Sequence, residues 1–357
     1  MALTATATKK VRADIVARLG LQKYTTFISG FDRKNIIIIV RELSKKEEKL
    51  SKLQEILMHT PGSGIIYCSS RKVTKEVFDE LVTKGESVAM YTGEMNPHER
   101  EQVQNDFMSG NIRVMVATNA FGMGIDKKDI RFVVHYNLPG SIENYYQEVG
   151  RAGRDGKKSY GVVLASYGDT KIQEFFIENT YPKKEEVFQL YEYLYSFDQS
   201  PHPNPLLRSN FEDSRASTPV SLISSGEREN IPPSPYKGEG SGGWGKAILK
   251  TYYQIASESG LQNDMKVGSI VKLLEKYGII KRGYEGSDID DFRGRGITLL
   301  QEKRKTSELL IDWKHQNLLK EEAYYKLDEI KKLLFQPQCR KRYILEYFGD
   351  EEDLQNL

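Results

Sequence analysis

The sequence predicts an α/β fold built on a parallel sheet with helices on both faces. Two observations predict it. Six short apolar runs, Ile36–Val40, Gly64–Cys68, Ser87–Tyr91, Val114–Thr118, Phe132–Tyr136 and Gly161–Ala165, are largely continuous rather than alternating. Segments with helical spacing separate them, and strands buried on both faces between helices are the mark of a parallel sheet. The totals agree: 357 residues, 39% of them hydrophobic, suffice for two or three domains with real cores.

The helices follow in order. Lys9–Gly20 carries Val11, Ile15, Val16 and Leu19 on one side, and Gly20 is a stop. Lys45–Met58 is charged and amphipathic, and Arg71–Lys84 follows the second strand. Pro97–Met108 begins with the proline that a first helical turn tolerates. Ile142–Val149 and Asp169–Glu178 complete the series. From Ser200 to Gly243 proline, serine, glycine and asparagine crowd out apolar residues, so the reading is a disordered linker over 199–243. Order returns with helices at Ala247–Ser257 and Val267–Tyr277, then strands at Gly278–Arg282 and Gly294–Leu300. Two helices and a hairpin suit a winged helix. Lys266, Lys272, Lys276, Lys281, Arg282, Arg293 and Arg295 would be its basic face, opposed by Asp288, Asp290 and Asp291 in the wing. Thr306–Phe348 reads as one or two amphipathic helices.

The net charge of +2 gives no nucleic-acid signal for the whole chain, so any basic surface must be local. Two cysteines, Cys68 and Cys339, exclude a disulfide framework and suit a reducing cytoplasm. No apolar run approaches the ~20 residues of a membrane span, and the first residues lack a secretory pattern.

Parallel sheets hold ligands at the carboxyl ends of their strands. Those ends carry Ser69-Ser70-Arg71, Thr92-Gly93-Glu94 and the run from Thr118 to Asp126. Hydroxyls, bare amides and helix N-termini hold a phosphate backbone without reading bases. Then comes Gly150-Arg151-Ala152-Gly153-Arg154-Asp155, with two arginines three apart, each after a glycine. Guanidinium groups stay charged and present a planar fork of donors, which suits a phosphoryl group. This stretch is expected on the same edge as the three strand ends.

These segments resemble the later motifs of superfamily 2 helicases, above all the RecQ family of DNA helicases. Leu3–Ala7 resembles motif III, Ser63–Arg71 motif IV, Val116–Asp126 motif V and Gln147–Asp155 motif VI; Gly30–Ile36 resembles the family's approach to its second RecA-like domain, with Lys34 where proline is usual. The resemblance implies a remnant of a first RecA-like domain at 1–28 and a second RecA-like domain at 29–198. After the 199–243 linker the winged helix read from the residues takes 244–303, ahead of the zinc module where the family commonly has it behind, and the resemblance implies a helical, truncated zinc module at 304–357. It implies an ATP- and Mg²⁺-dependent, 3′-to-5′ DNA-unwinding motor of repair and recombination, acting in the cytoplasm at the nucleoid on single-stranded and partly duplex DNA.

By position, Arg151 and Arg154 would reach the nucleotide phosphates, Arg154 as the finger, and Gln147 would sense them. Asp126, with Gly124 and Gly150, would line the nucleotide. Thr4, Thr6, Ser69, Arg71 and Thr118 would grip DNA, joined by Lys272 and Arg282 of the winged helix. The phosphate loop GxxxxGKS/T and the DExH box of a whole motor are not found. Gly240–Lys246 fits GxxxxGK but is followed by Ala247 and preceded by no strand. The implied portion is therefore the C-terminal one, inactive alone. Cys339 precedes a Tyr347-Phe348-Gly349-Asp350 string like that beside the family's first zinc ligand, without three further cysteines, so no zinc is expected. The alternative is a non-enzymatic DNA-binding or regulatory module.

Overall fold

The computed structural model describes residues 2–4, 6–28, 30–122, 124–197, 247–283 and 295–357. The 199–243 linker, the Gly240–Lys246 string, Asp288, Asp290, Asp291 and Arg293 lie outside the described residues, as does the Arg295 side chain. The chain divides into two compact units, Met1–Glu178 with Asn317–Leu357, and Asn179–Gln316.

In the first unit every expected strand forms. They are β1 (Ile36–Glu42), β2 (Ser63–Tyr67), β3 (Val88–Tyr91), β4 (Val114–Ala117), β5 (Ile130–His135) and β6 (Ser159–Ala165). They make one six-stranded sheet in the order β1-β6-β5-β2-β4-β3, and all pairings are parallel. Alternate residues feed two cores. On one face Ile66, Val116, Phe132 and Val134 meet Leu53 and Leu57 of α2 (Lys46–His59) and Val77 and Leu81 of α3 (Arg71–Thr83). On the other, Ile65, Met115 and Val133 share a cluster with Phe107 of α4 (Pro97–Ser109) and with Ile142 and Tyr145 of α5 (Ile142–Val149). Leu327, Ile330 and Leu333 of α10 (Trp313–Phe335) and Ile344 and Phe348 of α11 (Arg340–Phe348) belong to that same cluster. The interior is tight at Gly64, where a Cβ would fall inside the Phe132 ring.

Two features of this unit position the site. Helix α1 (Lys9–Arg18), capped by the Thr8 hydroxyl, is tied down when Arg12 donates to Ala7 O at 2.7 Å and to Phe348 O at 2.8 Å. The other feature is the connector from Thr118 to Asp129. Strands β4 and β5 are parallel without a helix between them, so this loop runs the length of the sheet, from the carboxyl end of β4 to the amino end of β5.

Helix α6 (Asp169–Thr180) follows β6, and the second unit contains α7 (Lys184–Ser196), β7 (Ala247–Thr251), α8 (Tyr252–Ser259), α9 (Asp264–Lys276), β8 (Ile280–Arg282) and β9 (Arg295–Leu299). Its strands form an antiparallel sheet, β7-β9-β8. The expectation of one helix over Ala247–Ser257 is corrected here: Ala247 and Ile248 pair with Thr298 and Ile297 as strand. Thr251 then starts the helix, its hydroxyl accepting from Gln254 N while the Gln254 side chain returns to Thr251 N. Helix α7, absent from the sequence reading, supplies Leu190, Tyr191 and Leu194 to the core of this unit. Residues 306–348 contain one 3-10 turn and two helices, α10 and α11, and a short α12 (Glu351–Gln355) follows.

Candidate functional site

Helix α5 and the loop after it carry the arginines. Ser141 caps α5 by accepting from Asn144 N at 3.2 Å, and Ile142, Tyr145 and Val149 pin one side into the core. Gln147 is left exposed and donates to Thr6 Oγ1 at 2.6 Å, which joins the first and last of the singled-out segments. The loop continues through Gly153 at φ +58°, where a Cβ would strike the Asn35 amide, the Ser159 hydroxyl and Lys157 O, so glycine is required.

The loop is not on the edge expected for it. Gly153 N donates to Ile130 O at 2.8 Å and Asp155 N to Lys128 O at 3.2 Å, at the amino end of β5. A parallel strand–helix–strand unit returns the chain to where it started, so the residues after α5 cannot lie at the carboxyl ends. The connector bridges the difference. The Arg151 guanidinium donates to Gly122 O, and a Cβ at Gly122 would occupy the guanidinium's place. Arg154 donates to Ile125 O at 3.0 Å and to Asp126 Oδ1 at 2.6 Å. Thus Arg151, Arg154 and Asp126 come together, and Thr118 starts the same connector. Gly124 is exposed with φ +79°, and Gly150 is the C-cap of α5.

Arg151 fits an anionic ligand by its donor set. Its Nε is buried and meets no hydrogen-bond acceptor among the described residues, and its guanidinium is held by a carbonyl rather than a carboxylate. Tyr67 lies beside it: burial pushes the phenol up, which Arg151 opposes, and the hydroxyl donates to Phe121 O at 3.0 Å. The phenol therefore stays neutral and acts as a donor.

The carboxyl ends of β2, β3 and β4 do carry the hydroxyl row. Ser69 N donates to Asn137 Oδ1 at 3.1 Å, and Ser69 Oγ is buried without a partner among the described residues. Ser70 caps α3, placing Arg71 in its first turn, ion-paired with Glu94 after β3. Thr92 is buried, and Thr118 accepts from Phe121 N at 3.1 Å through its carbonyl. Thr4 is exposed.

In the second unit Lys272 is exposed on α9, while Arg282 donates to Glu275 Oε2 at 2.6 Å and Lys266 is paired with Glu186. Cys339 is exposed at the start of α11; Cys68 is buried, and burial pushes its thiol up to about 12. Among the described residues no three His, Cys, Asp or Glu side chains gather as a metal needs, so these side chains alone do not fit a zinc site.

Three groups escaped the sequence reading. Lys49 and Asp169 form a buried ion pair at 2.8 Å, and Asp169 also accepts from Asn137 Nδ2, Leu138 N and Ser166 N. This fixes the segment after β5 on which Ser69 leans. His135 Nε2, buried, donates to Glu148 Oε2 at 2.7 Å and ties β5 to α5. Arg33 donates to Gly150 O at 2.9 Å, Ala152 O at 3.0 Å and Gly153 O at 3.3 Å, while Asn35 Nδ2 donates to Gly153 O at 2.8 Å and Lys157 O at 2.9 Å. Glu148 directly follows Gln147 in the sequence; nothing local announces the other partners.

Residues 48–156 match the helicase conserved C-terminal domain. That stretch, which holds β2 to β5 and the arginine loop, is where the chain is similar to helicase C-terminal domains. Within that class the first half of the chain is RecQ-like. It is 39% identical over 188 residues to the probable ATP-dependent DNA helicase RecS of Bacillus subtilis, covering 52% of this chain and 38% of the relative. It is 42% identical over 190 residues to the ATP-dependent DNA helicase RecQ of Haemophilus influenzae, covering 53% and 30%. The ATP-dependent helicase wrn-1 of Caenorhabditis elegans is 42% identical over 194 residues, covering 53% and 18%. The chain thus spans well under half the length of these relatives. Among the described residues no helix is long and apolar enough to cross a membrane.

Proposed function

We propose that this chain supplies the arginine side of a nucleotide site and part of a single-stranded DNA track in a RecQ-type, 3′-to-5′ ATP-dependent DNA helicase of repair and recombination, working on single-stranded and partly duplex DNA at the nucleoid. The observation that carries the reading is the convergence of Arg151 and Arg154 on the connector that begins at Thr118. Bound ATP with Mg²⁺ would supply the transferable phosphoryl group. Arg151 and Arg154 would hold its phosphates, Gln147 would register it while bonded to Thr6, and Asp126 with Gly124 and Gly150 would border it. Donors fixed in advance stabilise charge as it develops, without reorganising at that moment.

Ser69, Arg71, Thr118, Thr4 and Thr6 are the proposed backbone grips, and the buried Ser69 hydroxyl supports a donor aimed at a phosphate oxygen. The second unit is proposed as a winged helix. There Lys272 meets DNA directly, and Arg282 does so only after leaving Glu275. With no GxxxxGKS/T and DExH pair in its sequence, the chain is expected to hydrolyse ATP at background rate.

The test is fluorescein-labelled single-stranded DNA binding by the full chain, followed by DNA-stimulated ATP turnover after mixing with the phosphate-loop domain of a RecQ relative. Binding that weakens in Ser69→Ala/Thr118→Ala, and turnover seen only in the mixture, are the expected results. DNA-stimulated turnover by the chain alone that Arg154→Ala abolishes would overturn the inactive reading, and absence of DNA binding would overturn the track.

A further inference from the structure

We propose that Arg33 is a positioning residue for the arginine loop, acting from outside it through the loop's own backbone. A helix ends with carbonyls that lack intrahelical donors, and cations at that end are favoured. Arg33 meets that need at the C-cap of α5 with one terminal nitrogen on Gly150 O, and its other terminal nitrogen gathers Ala152 O and Gly153 O of the loop that follows. These carbonyls bracket Arg151 and immediately precede Arg154. One planar fork thus fixes the turn from which both guanidiniums depart.

The fork itself is anchored. Phe31 stacks on Phe348 at 4.5 Å between ring centres, and Phe31 N donates to Asp350 Oδ2 at 3.3 Å. Asp32 N donates to Asp353 Oδ2 at 2.9 Å, and Lys341 holds the Asp32 carboxylate at 3.0 Å. Ile36 N closes a turn onto Arg33 O at 2.9 Å before β1 enters the sheet. The segment is therefore fixed at both ends, by α11 and α12 on one side and by the sheet on the other. Lysine cannot replace Arg33, because a single ammonium on a flexible stem lacks the rigid two-pronged geometry that spans these carbonyls.

Hydrogen exchange of the full chain without nucleotide tests the positioning by itself. In Arg33→Lys and Arg33→Ala, the Gly153 and Asp155 amides should exchange at least about tenfold faster, while amides between β5 and β6 keep their protection. Unchanged loop exchange, or equal loss across the whole sheet, would overturn the proposal. A second arm rests on the reading that Arg151 and Arg154 face ATP, and uses turnover in the mixture. Arg33→Lys should lower kcat by about 10- to 100-fold with KM for ATP nearly unmoved, because the donors remain but are misaimed. A normal kcat would overturn the catalytic consequence. Faster loop exchange in a mixture that never turns over, even with wild-type chain, would leave Arg33 as the loop's clamp and discard the nucleotide reading.

Discussion

Three arginines of the first unit are held differently from four cations of the second. In the first, the guanidiniums of Arg12, Arg33 and Arg151 rest on main-chain carbonyls. In the second, Lys250, Lys266, Arg282 and Lys303 each meet a carboxylate, from Glu258, Glu186, Glu275 and Glu192. A carbonyl is a dipole: it orients a guanidinium and leaves its net charge in place. A carboxylate cancels that charge. Arg151, held by a carbonyl, therefore keeps its charge for an anion, whereas Arg154 and Arg282 share theirs with Asp126 and Glu275. Counting lysines and arginines cannot tell the two cases apart.

The comparison can be broken most directly at the arginines. In the reconstituted mixture, Arg154→Ala should lower DNA-stimulated ATP turnover by about 10³-fold or more. Arg282→Ala in the second unit should leave kcat unchanged. Equal effects in a turnover assay would erase the distinction.

Other cations of the first unit do meet carboxylates, and among these the Lys49–Asp169 pair is buried on both sides. Asp169→Ala strands a buried ammonium and three further donors, and should destabilise that unit by about 3–5 kcal/mol. Lys49→Met in the same chain should restore much of the loss. Urea unfolding followed by exchange of sheet amides reads both.

A smaller effect separates lysines within the second unit. Lys272 is exposed, so Lys272→Ala should reduce the salt slope of single-stranded DNA binding by about 0.7, the value of one phosphate contact. Arg282→Ala should change it less, since its charge is already matched. Binding isotherms over a range of salt decide this.

The smallest effect is acid-dependent. Arg131 donates to Asp155 at 2.7 Å and holds that carboxyl below the usual range. A group with a depressed folded value stabilises above its unfolded value and loses that contribution as pH falls through the folded one. Below about pH 4 the loop at 150–156 should therefore exchange faster, and Asp155→Asn should remove most of that pH dependence.

The parallel sheet was legible because its strands are buried on both faces and read as apolar runs. The site was legible where residues are neighbours in sequence: Gln147, Arg151 and Arg154 on one segment, Ser69 to Arg71 on another. What long-range contacts decide was not. Arg33 and Gly150 are far apart in the chain, as are Lys49 and Asp169, and no local pattern pairs them. The single-edge placement of the arginine loop failed for a topological reason, since α5 brings the chain back to the strand starts. Helix α7 did leave a signal, Val187, Leu190, Tyr191 and Leu194 at helical spacing. The Ala247–Ser257 reading missed the cap signature at Thr251 and Gln254, which marks where strand ends and helix begins.

On the face of the sheet packed by α4 and α5, the core cluster takes in side chains between Leu327 and Phe348, far later in the sequence. While the protein is being synthesised, residues 179–316 must emerge before that face can be covered. The nascent sheet therefore waits on the ribosome with that cluster incomplete, a window in which chaperone capture or aggregation competes with native closure.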